Sequence, residues 1–323
     1  MLQEAISRRS FLRCAALGAV GATLAACGAS RNAATQETEP PAPAEHRIPR
    51  RPLGRTGAMV SILGLGGAIA VARSPEMAAR IVNRAIDLGV NYIDTAHQYG
   101  ASEANIGQVM RERREEVILA SKTDDRTYDG TMRQFELSLR RLQTDRIDVY
   151  QLHAIHGEGD LRTALAADGA ITAIEQLRAA GSVRYVGITG HKNSDFFARA
   201  LAEYPFDCVL MAINAGDVHY DSMIRNALPA ACARDMGVIA MKVAAYDGRI
   251  FRADGITTMN EALGYTLSHP VATAIVGIST VEQLEENVRI AREFEPFAPE
   301  ALQRIEDLTR HYADAANFFK HHW

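Results

Sequence analysis

Cysteine is scarce in this chain: of 323 residues only Cys14, Cys27, Cys208 and Cys232 are cysteines, and no two form a Cys-x-x-Cys pair. No His-rich stretch stands at metal-ligand spacing either, so a zinc or iron–sulfur framework is not expected and no metal site is assigned. Cys208 and Cys232 lie in or beside apolar segments, where two buried thiols acting as small hydrophobes are expected rather than a disulfide. A long Lys/Arg run is also missing, and 35 basic against 39 acidic residues leave a formal charge of −4. That balance gives no reason to expect a nucleic-acid partner. No segment is apolar over the ~20 residues that a membrane span needs. Gly64-Leu65-Gly66-Gly67 lacks the full Gly-x-Gly-x-x-Gly spacing of a dinucleotide fingerprint. It reads instead as a tight turn ending a first strand.

What is present begins with an address. Ser7-Arg8-Arg9-Ser10-Phe11-Leu12-Arg13 is followed by a short run of Ala, Leu, Gly and Val ending at Leu24-Ala25-Ala26-Cys27-Gly28. A basic start, a short apolar middle and small residues at its end are the layout of a cleavable export signal, here over residues 1–27. The paired arginines before Phe-Leu resemble the twin-arginine export signal, and Leu24-Ala25-Ala26-Cys27 resembles the lipobox of bacterial lipoproteins. The likeness implies the twin-arginine machinery as a partner, a lipid anchor at Cys27 as the one membrane attachment, and a periplasmic or membrane-tethered location. Residues 28–47, rich in Ala, Pro, Glu and Thr, show no apolar period. They cannot bury enough surface to offset the entropy of ordering, so a flexible tether is expected.

From there the chain, residues 48–323, alternates short apolar runs with amphipathic segments, the pattern of repeated βα units. The strand candidates are 60–64, 90–94, 117–121, 147–152, 183–188, 208–212, 238–242 and 273–277. Between them lie helical stretches such as Pro75 to Leu88, Thr131 to Leu142 and Val281 to Ala291. Eight strands each followed by a helix close most economically into a (β/α)₈ TIM barrel, with an open doubly wound sheet as the alternative. Arg51 to Gly57 forms an N-terminal β-hairpin turn, residues 299–316 a C-terminal helix, and Phe318 to Trp323 a frayed tail.

In such a barrel the C-terminal strand ends converge on one mouth. Asp94 ends the second strand, Lys122 the third and His153 the fourth, while Tyr99 lies in the loop leaving the second. Each costs free energy to bury alone, and together they satisfy one another. Reducing a carbonyl by hydride leaves an alkoxide that must be protonated, and a phenol with an ordinary pKa near ~10 is a reluctant acid at neutral pH. An ammonium at Lys122, kept charged by Asp94, is expected to lower the Tyr99 pKa, while His153 donates a hydrogen bond to the substrate oxygen.

Three ordered segments carry a resemblance: Tyr92-Ile93-Asp94-Thr95-Ala96-His97-Gln98-Tyr99-Gly100-Ala101-Ser102-Glu103, Leu119-Ala120-Ser121-Lys122, and Asp148-Val149-Tyr150-Gln151-Leu152-His153. They resemble the signature segments of the aldo-keto reductase superfamily, over about residues 48 to 293. The likeness implies NAD(P)H-dependent reduction of an aldehyde or ketone, with Tyr99 as proton donor, Lys122 and Asp94 as its tuners and His153 orienting the carbonyl. It implies NADP as cofactor, with NAD possible. Cofactor contacts would come from Thr189, Asn214, Tyr246, Ser279, Gln283 and Asn287.

The chain departs from that family where a Ser-Asn pair and a Gln would hold the nicotinamide carboxamide. Thr189-Gly190 and Leu210 stand there, and His191 or Lys192 could substitute, though both are expected to face solvent. The basic residues that grip a 2′-phosphate are replaced by Ile278 and Gln283. Two rival readings keep the barrel: an exported nucleotide-binding redox sensor or partner module without turnover, and a metal-dependent hydrolase using Asp94, His97 and His153.

Overall fold

The structure, a computed structural model, describes residues 47–322. The export signal, Cys27 and nearly all of the tether lie outside the described residues, as does Trp323. The described residues form ten strands: β1 (Arg50–Pro52), β2 (Met59–Ser61), β3 (Leu63–Gly66), β4 (Tyr92–Asp94), β5 (Ile118–Thr123), β6 (Ile147–Leu152), β7 (Val183–Gly190), β8 (Cys208–Ala212), β9 (Gly237–Met241) and β10 (Thr273–Gly277). β3 to β10 close into a parallel eight-stranded barrel in chain order, with β10 pairing back onto β3. This is the (β/α)₈ barrel that the alternation of strands and helices predicts.

β1 and β2 form an antiparallel hairpin apart from the barrel. Its turn packs under β9: Arg55 N–H donates to the Asp235 carbonyl at 2.8 Å. A Cβ on Gly54 would fall 2.3 Å from the Gly237 nitrogen, so only glycine lets the turn come this close. Leu53 inserts into the interior cluster with Tyr92, Val149, Leu210 and Ile239. The hairpin thus plugs the end of the barrel where the strands begin.

One expected strand is divided. Residues 60–64 read as a single apolar run, yet Val60 and Ser61 belong to the hairpin and Leu63 and Gly64 to the first barrel strand. The break is enforced by Asn91, whose Oδ1 accepts from Ser61 N–H at 2.7 Å, while Ser61 Oγ donates to the Leu63 carbonyl at 2.7 Å. The glycines expected to form a turn there are in part inside β3. A Cβ on Gly64 would meet Ile275, Thr273 and Tyr92 at 3.0–3.3 Å.

The flanking helices follow their sequence signals. Pro75–Asp87 begins with Ser74, whose side chain accepts from Met77 N–H, and with proline in its first turn; it buries Ala78, Ile81, Val82, Ala85 and Ile86 against the strands. Val281–Arg292 is capped by Thr280, which accepts from Gln283 N–H. Pro299–Thr309 follows the barrel as a further helix.

Two expectations fail. Cys208 is buried but Cys232 is exposed, and both are free thiols. The tail is not frayed: Phe318–His322 is helical, Phe319 is buried, and the Lys320 ammonium is buried in an ion pair with Asp217 at 2.5 Å. Lys320 also donates to the carbonyls of Tyr220 and Asp221, so the last helix is clasped onto the loop after β8.

Candidate active site

Four of the predicted residues come together at the strand C-termini. Asp94 is the last residue of β4, Lys122 lies near the end of β5, and His153 directly follows β6. The Lys122 side chain has no exposed surface and donates to Asp94 Oδ1 and to the Thr95 carbonyl, the latter at 2.8 Å. Gln151, on the inner face of β6, donates to the other Asp94 oxygen at 3.1 Å. The Gln151 side chain packs against Gly187, where a Cβ would stand 2.7 Å from Gln151 Cγ.

Tyr99 sits in the loop after β4, held by Tyr99 N–H to the Ala96 carbonyl and Ser102 N–H to the Tyr99 carbonyl, both at 3.0 Å. Gly100 follows with φ +55, a left-handed turn that glycine adopts without strain. The next helix is pinned beneath: Ser102 Oγ meets Thr95 Oγ1 at 2.8 Å, and buried Glu103 accepts from Ser121 Oγ at 2.7 Å and from Arg141 at 3.3 Å. The Gly-Ala-Ser-Glu stretch therefore positions the tyrosine. The Lys122 ammonium lies 4.9 Å from the Tyr99 ring centroid, and the His153 ring packs edge-on against Tyr99 at 5.6 Å.

Electrostatics follow from this burial. Burial opposes the charge on Lys122, but Asp94 and Tyr99 outweigh it and hold the ammonium above its ordinary pKa. Burial pushes the Tyr99 phenol up; the Lys122 charge pulls it down without winning. The expectation of a lowered Tyr99 pKa is therefore corrected. The Asp94 carboxylate opposes the ammonium's effect, so burial prevails and the phenol keeps its proton until an acceptor arrives. His153 is driven well below its ordinary value by burial and then by Lys122 and Arg126, so it is a neutral imidazole. Its buried Nδ1 has no hydrogen-bond partner among the described residues.

Sequence patterns match the aldo/keto reductase family over residues 62–248. The chain belongs to that family. It is an NAD(P)-dependent oxidoreductase acting on carbonyl compounds. YqkF of Bacillus subtilis (strain 168), an uncharacterized oxidoreductase, is 29% identical over 289 residues, 75% of this chain and 90% of its own. L-galactose dehydrogenase of Arabidopsis thaliana is 28% identical over 305 residues, 80% of this chain and 94% of its own. Among solved structures, the holo form of aldo-keto reductase AKR11C1 from Bacillus halodurans superposes with a TM-score of 0.70 at 28% identity, covering 81% of this chain and 96% of that one. An aldo-keto reductase from Klebsiella pneumoniae in complex with NADPH shares the fold, with a TM-score of 0.66 at 24% identity over 80% of this chain and 94% of that one.

Where this aldo/keto reductase departs from the family's carboxamide contacts, the structure supplies reasons. A Cβ at Gly190 would stand 2.6 Å from the buried Phe197 ring, so an asparagine there has no room. Leu210 is packed into the barrel interior. Thr189 Oγ1 accepts from Ala154 N–H at 2.7 Å, supporting the backbone next to His153. Asn214 is buried, accepting from Gly216 N–H at 2.9 Å and donating to the Lys242 carbonyl at 3.2 Å. Tyr246 is 37% exposed and stacks on Phe318 at 6.2 Å with the planes 9° apart. His191 does not face solvent; it is 6% exposed, between His156 and Phe319.

The remaining candidates cluster after β10. Ser279 and Gln283 are exposed and linked by Ser279 N–H to Gln283 Oε1 at 2.8 Å, and Asn287 is buried on the inner face of the same helix. Sequence reasoning missed Gln151, Arg126 and Lys242. Arg126 donates to the carbonyls of His153 at 2.6 Å and Ala154 at 3.1 Å, steadying the end of β6. An arginine in a polar loop carries no such signal by itself.

Proposed function

We propose that the chain reduces an aldehyde or ketone with NADPH, with Tyr99 passing its proton to the carbonyl oxygen. The observation that carries this reading is the buried Lys122 ammonium, clamped by Asp94 on one side and facing the Tyr99 ring on the other. The cofactor, when bound, supplies the hydride. The carbonyl oxygen accepts hydrogen bonds from the Tyr99 hydroxyl and the neutral His153 imidazole. As negative charge develops on that oxygen, the phenol gives up its proton, and Lys122 stabilises the phenolate left behind. Burial of Asp94, Lys122, Gln151 and His153 keeps water from competing for the proton.

The residues fit a dinucleotide. Ser279 and Gln283 are exposed at the N-terminus of the twelve-residue helix Val281–Arg292, the end whose dipole favours a phosphate, and would offer their side chains to it. Thr189 near the end of β7, Asn214 after β8 and Tyr246 after β9 are the residues that would face the nicotinamide end, and Asn287 would brace the adenosine end. NADPH is favoured over NADH because relatives of this fold were solved with NADPH or NADP bound, even though Ile278 and Gln283 lack the charge to grip a 2′-phosphate. Incubation of the purified chain with NADPH and a panel of aldehydes and ketones, followed at the nicotinamide absorbance, tests the reading. Oxidation of NADPH that depends on the carbonyl is expected; its absence across the panel would overturn the reading.

The motifs at residues 7–13 and 24–27 support export by the twin-arginine route and acylation at Cys27, giving a periplasmic enzyme or a membrane-tethered lipoprotein. Radiolabelled palmitate should enter the wild-type chain and not Cys27→Ser. Equal labelling of both, or of neither, would contradict lipidation.

A further inference from the structure

The reduction chemistry makes no use of Lys242, yet the fold gives this side chain an unusual setting. β9 ends at Met241, so Lys242 leaves the barrel at the same rim as Asp94, Lys122 and His153. In the ring order β5 and β9 are four strands apart in a barrel of eight, so Lys122 and Lys242 approach the mouth from opposite sides. The backbone is left-handed at Lys242 (φ +62) and again at Ala245, Tyr246 and Asp247 (φ +54, +62 and +52). Non-glycine residues rarely adopt this conformation, and such strain persists where the surroundings over-determine it, often at ligand sites. Here the Lys242 carbonyl accepts from Asn214 Nδ2 at 3.2 Å and from Ala245 N–H at 2.8 Å, which fixes the turn.

The ammonium itself is set among aromatic rings. Lys242 Nζ lies 5.3 Å from the Tyr246 ring centroid and 5.9 Å from that of Phe319. Phe319 is immobilised by its neighbour Lys320 in the buried pair with Asp217, and its ring also meets His191 at 6.3 Å. The charge of Lys242 is felt at His153 and His191, and it feels Lys122 in return, so it acts on the space where substrate must lie. The imidazoles of His153 and His191 are held neutral, Asp247 is the acidic group that favours the Lys242 charge, and Arg249 stands over the Phe318 ring at 4.0 Å.

We propose that Lys242 is a specificity residue that reads an anionic group, a carboxylate or a phosphate, carried by the carbonyl substrate on the side away from the reacting oxygen. A partly desolvated ammonium gains more from an anion than a hydrated one, and a charge-assisted hydrogen bond fixes the substrate's direction across the mouth. With the anion at Lys242 and the carbonyl at Tyr99 and His153, the substrate is held at two ends. Burial, and then Lys122, hold the Lys242 ammonium down to about 7, with Asp247 opposing. The preference for an acid is therefore largest below neutral pH and fades as pH rises through that value, while a neutral substrate is indifferent to it.

This inference rests on the carbonyl-reductase reading, and the test separates the two. Wild type, Lys242→Met and Lys242→Arg are compared on 4-carboxybenzaldehyde and its methyl ester with NADPH. In parallel, binding of 4-(hydroxymethyl)benzoate to each NADP-loaded protein is measured by calorimetry. Wild type should favour the acid, and the acid-to-ester ratio of kcat/KM should fall about tenfold or more in Lys242→Met and be kept in Lys242→Arg. The benzoate should bind wild type and lose affinity by a like factor in Lys242→Met. A ratio unchanged by Lys242→Met overturns the inference. If the ratio is unchanged and NADPH binding alone weakens relative to NADH, the anion read is the cofactor's phosphate, and the inference also fails. Should no aldehyde turn over, the reductase reading falls, and the calorimetry still decides whether Lys242 binds the carboxylate.

Discussion

Replacing Lys122 by methionine tests the buried centre most searchingly, because the structure sets both the size and the sign of the effect. The ammonium and its Asp94 partner are both fully enclosed. Once Lys122 is gone, Asp94 keeps, among the described residues, the Gln151 amide at 3.1 Å as its one side-chain donor. Breaking a buried pair from one side costs about 3–5 kcal/mol, since a carboxylate is left in a low-dielectric site. Adding Asp94→Asn to Lys122→Met removes that stranded charge and should restore about 0.5–3 kcal/mol, the range of coupling between contacting residues. Urea unfolding followed by far-UV circular dichroism gives both numbers, and NADPH oxidation gives the activity. Both variants should be nearly inactive, because neither retains a cation beside Tyr99. Stability losses that simply add, with no recovery in the double variant, would refute the claim that the two residues form one electrostatic unit. Full activity in Lys122→Met would refute its role toward the phenol.

His153 and His191 are buried with pKa values well below the ordinary 6.5, so below that pH the unfolded chain binds protons that the folded one refuses. Stability should therefore fall from pH 7 towards pH 5 by up to about 1.4 kcal/mol per pH unit for each histidine; a flat urea midpoint over that range would contradict their burial as neutral rings. Restoring the family's asparagine with Gly190→Asn should destabilise by about 1–3 kcal/mol through collision with the Phe197 ring, and a companion Phe197→Leu should recover part of it in thermal melts. Lys320→Met should cost towards the lower end of about 3–5 kcal/mol, because Asp217 keeps donors from Ser222, Met223 and Ile224. Limited proteolysis should then clip the last helix first; a tail as resistant as wild type would show that the clasp is not what holds it.

Much of the barrel could be read directly from residues. β6, β8 and β10 coincide with their apolar runs because each is bounded by turn-forming or polar residues and buried on both faces, so local pattern and tertiary demand agree. Asp94, Lys122 and His153 were legible for a similar reason: each ends such a run, and strand ends in a closed barrel meet at one rim. The misreadings share a cause in partners far along the chain. The break between β2 and β3 depends on Asn91, 30 positions from Ser61. The order of the tail depends on Asp217, 103 positions from Lys320. Burial of His191 depends on Phe319 closing over it. Nothing in the sequence marks Lys242, because a lysine ending an apolar run looks like any strand terminus, and nothing local announces a left-handed backbone at a residue other than glycine. The direction of the Tyr99 pKa is not legible in the sequence, where the proximity of Lys122 can be inferred and the opposing depth of burial cannot.

The most direct test of the proton-donor role is Tyr99→Phe, which removes one oxygen and leaves the ring against His153 and Lys122. NADPH binding, read by fluorescence quenching, should be unchanged, while single-turnover reduction of an aldehyde should slow by about 10²–10⁴. Turnover at the wild-type rate in that variant, with cofactor binding intact, would contradict the account.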